Sequence, residues 1–423
     1  MRKIYQRIAF FALVSVFGMF ALPRMGFSEK LVLWDVHSST SLKAEMDRQA
    51  KNYNEQTPGM ELEVVHVQNE AYKTKIKVAM GGGTPPDIFH GWGGGVLKAY
   101  IDAGMVHPID EIKSDLLKFY MKASLDPVTF DGKTYGVPYA GLTGVYFWYN
   151  KNIFKKLGLI PPKTWTEFLA VGEALKKNGT IPISLGNKSR WPGSFYYMYL
   201  ADRLGGGDIF TNALYRKNNG SFEDPAYVKA GEMLQDLVNR DFFPKGFNGI
   251  DEGKGGSRAL MYTEKAGMYL MGTWFLGTMK KEAPAMKEKF DFFPFPAIDG
   301  GQGDPTNLIG SPGQNYLSIT TTTKNKKEAL NFLNNYIKSE GYVQYASKNG
   351  YVPPVLNAAS YVDDPMLKKI AQTFENAGHV QLYYDQFMSP ALGEIHKDLV
   401  QNLFGMGITP AGAAKAHENA VLN

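Results

Sequence analysis

The groups in this 423-residue chain best suited to chemistry are aromatic rings and polar side chains at predicted strand ends. Trp92 stands in His90-Gly91-Trp92-Gly93-Gly94-Gly95, where the glycines leave an open loop and an exposed ring. Trp191 lies in the polar loop Asn187-Lys188-Ser189-Arg190-Trp191-Pro192, the least core-like setting among the six tryptophans. Trp274 follows Gly272-Thr273. Asp35, His37 and Ser38 end one apolar run, and Asn69 and Glu70 follow the next. Gln314 and Asn315 lie in a Pro-Gly loop, Tyr351 lies in Asn349-Gly350-Tyr351-Val352-Pro353, and Asp385 is a lone acid within Tyr383-Tyr384-Asp385-Gln386-Phe387. Flat apolar faces beside hydrogen-bonding groups suit the binding of a hydroxyl-bearing molecule. The structural alternatives are core packing for Trp92 and Trp274, a surface ring without a role for Trp191, and helix capping for Asp35, His37, Ser38 and Asp385. Trp34, Trp148 and Trp165 sit in strand or capping contexts and are expected to be structural, as is Asp87.

Signatures of bond-breaking chemistry are missing. None of the seven His residues forms an H-E-x-x-H pair, and with zero Cys a metal site would need scattered ligands. Gly132-Lys133-Thr134 imitates the end of a phosphate loop, but Pro127 occupies the required earlier glycine position. Gly81-Gly82-Gly83 follows a helical pattern rather than a strand, against a dinucleotide fingerprint, and no G-x-S-x-G elbow is present. No cofactor and no metal are expected. Paired carboxylates for glycoside hydrolysis leave no sequence signature, so an exported hydrolase or lyase stays as the alternative.

The elements that must hold these groups follow from pattern. Lys30–Val36, Glu61–Val67 and Asp87–His90 are short apolar strands separated by helical patterns at 41–56 and 71–80. This alternation predicts a parallel, doubly wound sheet, whose ligands bind beyond the carboxyl ends of the strands. That rule nominates Asp35 to Ser39, Asn69 and Glu70, and the loop from His90 to Gly95. Asp131-Gly132 predicts a hairpin over 128–137. Thr164 with Glu167 predicts a capping box, and Asp224-Pro225, Asp364-Pro365 and Thr409-Pro410 predict helix starts. The last hundred or so residues are expected to be mainly helical. The Gly- and Pro-rich stretch 299–306 is a candidate passage between lobes.

Residues 1–28 have the form of a cleavable export signal, with Arg2, Lys3 and Arg7 before the apolar run 8–22 and with small Gly26 and Ser28 at the exit. Cleavage is expected between Ser28 and Glu29, giving a periplasmic protein with no thiol for a lipid anchor. Four of the chain's basic residues leave with that segment, so the net charge of +5 is mostly the signal's. The remainder offers no argument for nucleic acid or an anionic membrane.

From Gly136 to Phe168 the chain resembles one family. The features are Val137-Pro138-Tyr139, Tyr149-Asn150-Lys151, Pro161-Pro162, Thr164-Trp165 and Glu167-Phe168. Gly83-Thr84-Pro85-Pro86-Asp87-Ile88, Ala103-Gly104-Met105, Ala266-Gly267-Met268, Gly272-Thr273-Trp274 and 329–336 fit in the same order. The resemblance is to the extracellular solute-binding proteins of carbohydrate ABC importers, the group that includes maltose-binding protein. It implies two doubly wound α/β lobes joined by a multi-crossing hinge, periplasmic binding protein-like. The expected division is 1–28 signal, 29–140 first lobe, 141–300 second lobe, 301–328 return to the first lobe and 329–423 helical part of the second. The implied function is non-enzymatic: a sugar or oligosaccharide bound between the lobes closes them, and the closed form docks on membrane permease subunits with a separate ATPase. In that family the residue matching Trp274 commonly lies under a sugar ring, and the region matching Asp385 approaches the cleft. A monomer is expected.

Overall fold

A computed structural model describes residues 29–37 and 41–422; residues 1–28, expected to be an export signal, and Ser38 lie outside the described residues. The first apolar run forms β1 (Glu29–Asp35). α1 (Leu42–Gln56) crosses to β2 (Met60–His66), and α2 (Asn69–Gly81) crosses to β3 (Ile88–Gly91). Both outer strands run parallel to β1, which lies between them. A central strand needs apolar side chains, and Leu31 and Leu33 are fully buried. Asp87 does structural work as expected: its carboxylate accepts the Val32 amide at 2.8 Å. α3 (Gly94–Asp102) follows β3.

The hairpin forms as β4 (Thr129–Phe130) and β5 (Lys133–Thr134), with Asp131 and Gly132 at φ of 49° and 77°. Both positive angles match the strand twist. β6 (Val137–Pro138) edges the first sheet, where a proline costs no ladder bond. The chain then enters the second sheet through β7 (Thr143–Asn150), buried along its whole length. β8 (Ile181–Ser184), β9 (Ala266–Gly272), β10 (Phe290–Phe293) and β11 (Leu308–Ser311) build around it. β12 (Tyr316–Ile319) returns to the first sheet, antiparallel to β3, and β13 (Val380–Gln381) joins the second beside β11. The orders are β2-β1-β3-β12-β6 and β13-β11-β7-β9-β8, with β10 also on β7. The Thr164–Glu167 capping box is complete, and Asp224 and Asp364 cap helices that start with proline. Thr409 Oγ1 accepts the Gly412 amide at 3.1 Å at the start of the last helix.

The lobe boundaries differ from the expected ones. Residues 299–306 do not cross between lobes. They fold against the end of the helix Trp191–Gly205, where Gly303 and Gln302 donate to the carbonyls of Arg203 and Leu204. Cβ atoms on Gly301 and Gly303 would overlap that backbone, so their role is close packing. β11 still belongs to the second sheet, and the return falls between Ser311 and Tyr316. Residues 329–348 also pack on the first lobe, not the second. Ala329, Phe332, Leu333, Ile337, Tyr342 and Val343 share one buried cluster with Leu31 and Leu33. The chain leaves again between Val355, in that cluster, and Val362, in the second lobe's core.

Buried histidines give the fold a pH dependence. Burial lowers His37 to about 4 and His417 to about 3, and pushes His90 and His396 well below the ordinary value. The unfolded chain takes up protons near pH 6.5 that the folded chain refuses. Their contribution is therefore complete above about 6.5 and is lost as pH falls toward the folded values. His66 acts oppositely. Burial works against its charge, but hydrogen bonds to Asp35 (2.6 Å) and Asp47 (2.8 Å) win and raise it. Its contribution is full below about 6.5 and lost as pH rises through the raised value. Glu252, whose buried carboxyl is pushed up to about 7, acts in the same direction as His66. The four depressed histidines outnumber these two, so the urea midpoint is expected to be lower at pH 5 than at pH 7.5. An equal or higher midpoint at pH 5 contradicts this reading.

Candidate ligand-binding cleft

Between the lobes lies a cleft with about 1160 Å³ of empty space, its open mouth included. Its first-lobe wall comes from strand ends, as the doubly wound topology requires. His37 follows β1, Asn69 opens α2 after β2, and Trp92 follows β3; all three line the cleft. Trp92 turns in at a loop where Gly93 has φ of 74° and a Cβ would overlap the Pro127 carbonyl. Its ring stands edge-on to His90 at 4.5 Å, and Lys73 Nζ lies 5.7 Å from its centre. His37 meets Asn315 Nδ2 at 3.4 Å and the edge of Tyr139.

The second-lobe wall is aromatic. Trp191 and Trp274 stand edge to face at 6.0 Å, with Phe195 and Tyr383 beside Trp274. Trp274 opens the helix Trp274–Glu282, and its ring lies over Gly272, where any Cβ would overlap it. The ring is only partly buried and faces the cleft. The passages between the lobes form the floor. Gln314 sits at φ of 57° after a turn in which Ser311 Oγ accepts its amide at 2.9 Å, and its side-chain Oε1 is buried without a partner. Asn315 and Tyr351 complete this part, and Asp385 lines the cleft 3.9 Å from Lys397 Nζ.

Trp274, Trp92, Trp191, Asp385, His37, Asn69, Gln314, Asn315 and Tyr351 therefore come together on one cleft. Asp35 does not line it. It is fully buried, its Oδ1 taking His66 Nδ1 at 2.6 Å and the His37 amide at 3.1 Å, so it holds the turn beneath the site. Sequence reasoning missed Gln68, Lys73, Glu252, Arg258 and Gln386, which also line the cleft. Arg258 donates to Glu252 at 2.7 Å and forks onto Glu282 at 3.0 and 2.9 Å. Burial pushes the Glu252 carboxyl up to about 7 against the pull of that guanidinium. No local pattern announces this clamp, because its members come from a loop and two helices. Buried oxygens of Gln314 and Gln386 lack partners, so this cleft offers acceptors to a ligand rich in donors.

Two α/β lobes joined by several chain passages, with aromatic and amide side chains converging between them, define a two-lobed ligand-binding protein. The chain belongs to the family of bacterial extracellular solute-binding proteins, whose model matches residues 37–343. It is 32% identical over 266 residues to an uncharacterized ABC transporter extracellular-binding protein of Pyrococcus horikoshii, a match covering 60% of this chain and 58% of the relative. A solved structure described for xylan utilization by the thermophilic bacterium Caldanaerobius polysaccharolyticus superposes with a TM-score of 0.85 at 30% identity, covering 92% of this chain and 99% of that one. A chitin oligosaccharide binding protein gives 0.84 at 25% identity, covering 94% and 98%.

Proposed function

We propose that this chain is the substrate-binding subunit of an ABC importer, holding a sugar or oligosaccharide between its lobes and delivering it to membrane permease subunits driven by a separate ATPase. The observation that carries the proposal is the convergence of rings from both lobes on one cleft, Trp92 from one side and Trp191 and Trp274 from the other. Aromatic faces pack on the apolar faces of pyranose rings, and the unpartnered amide oxygens between them accept hydroxyl donors. A ligand touching both lobes favours the closed arrangement by its differential affinity. The proposal includes no catalysis, a monomer, and a mature chain exported to the periplasm and beginning near Glu29 without a lipid anchor.

The full mature chain, screened by thermal shift against mono- to tetrasaccharides, tests this. A matching ligand at 100 times Kd adds about 2.7 kcal/mol of stability. Chromatography of the same mixtures is expected to show the saccharide unchanged. Released product would favour the alternative of an exported glycoside hydrolase or lyase with paired acids. Scattering at saturating ligand is expected to report a more compact particle. Identical profiles would remove closure from the mechanism while leaving binding in place.

A further inference from the structure

We infer that Glu70 is a positioning residue: from one lobe it sets the Trp191 ring in the other, so that closing the cleft and building its aromatic wall are one event. This rests on the reading of the cleft as the ligand site. Glu70 Oε1 accepts from Asn69 Nδ2 at 2.7 Å and Lys73 Nζ at 3.1 Å, both on its own helix α2. The same oxygen accepts the indole Nε1 of Trp191 at 3.2 Å from across the cleft. The carboxylate is thus held in place before it meets the opposite lobe. The ring it catches stands edge-on to Trp274 at 6.0 Å and to Phe195 at 5.5 Å, so a shift of Trp191 moves the whole wall.

The surroundings are built for this approach. Trp191 starts its helix directly after Arg190, a non-glycine residue at φ of 67° whose guanidinium pairs with Glu394 and Asp398. On the facing side Gln68 caps α2 by accepting the Glu70 and Ala71 amides, which keeps its side chain in place. Gly253 of the second lobe lies against that same side chain, and a Cβ there would overlap its Nε2. Elsewhere along the seam, Cβ atoms on Gly94 and Gly95 would overlap the carbonyls of Gln386, Phe387 and Met388. The lobes meet at glycines, and the Glu70–Trp191 bond gives that meeting a direction.

A double-mutant cycle on the full mature chain tests the inference, using the saccharide identified by the screen. Glu70→Ala and Trp191→Phe are each expected to weaken affinity by about fivefold to tenfold, and the double variant by no more than the larger single loss. Losses that multiply would overturn the proposal. A second readout needs no ligand. The chain has no cysteine, so dyes on cysteines introduced at exposed Val78 and Ile160 report the distance between lobes. Glu70→Ala is expected to lengthen that distance in the free protein, and Glu70→Gln, which keeps an acceptor, to restore it. An unchanged distance in Glu70→Ala counts against the inference. Failure of every saccharide to bind wild type would defeat the proposed function instead, and the free-protein distance would still report on Glu70.

Discussion

Trp274→Ala is expected to weaken saccharide affinity at least about tenfold while the protein still folds. A ring stacked on a sugar contributes about 0.5–1.5 kcal/mol beyond the area it covers, and losing that area adds more. The structure gives the ring a partly buried site facing the cleft, over a glycine that leaves room for nothing else. Its neighbours Trp191, Phe195 and Tyr383 would lose a partner, but the second lobe's core behind them stays packed. The stability loss should therefore fall short of the about 3–5 kcal/mol typical of a fully buried Trp→Ala change. Titration calorimetry and a urea midpoint on one preparation separate the two effects. A variant that unfolds easily yet binds normally while folded would assign Trp274 to the core.

Arg203→Met is expected to do the reverse, removing about 3–5 kcal/mol of stability and leaving the cleft untouched. The Arg203 side chain is fully buried and pairs with Asp202. It also donates to the carbonyls of Pro305 at 3.1 Å and Asn307 at 2.9 Å and lies over the Tyr199 ring. Methionine keeps the stem but leaves Asp202 buried without its cation and the 305–307 carbonyls without their donor. That segment leads into the start of β11, so its loosening should also appear as early hydrogen exchange over 305–308, short of the cleft floor at Gln314 and Asn315. Removing both charges with Asp202→Leu and Arg203→Met is expected to recover much of the loss, because the cost lies in the stranded partner. A single variant as stable as wild type would mean that the pair contributes little.

Much of the first lobe was legible because its signals are local. The strand–helix alternation placed β1, β2 and β3, and the rule of strand ends then nominated His37, Asn69 and Trp92, which line the cleft. The same rule misplaced Asp35, because a strand end does not say whether a side chain turns toward the cleft or beneath it. The stretch 299–306 misled for a related reason: glycine marks close approach as readily as a passage between lobes, and here it packs on Arg203. For residues 329–348 the expected lobe is the wrong one, because an amphipathic helix shows which face is apolar, not which sheet covers it.

Sequence alone was sufficient for properties set by neighbours along the chain. The capped helices, the Asp131-Gly132 hairpin, the α/β class and the ordered family motifs are of this kind. Tertiary structure decided what depends on partners distant in sequence. The Trp191–Trp274 wall joins the starts of two helices far apart in sequence. The Arg258 clamp joins Glu252 to Glu282. The Glu70–Trp191 bond joins the two lobes. Hydrogen bonds and ring contacts act over a few ångströms and carry no period along the chain. Their donors and acceptors were visible as residues, and only folding made them pairs.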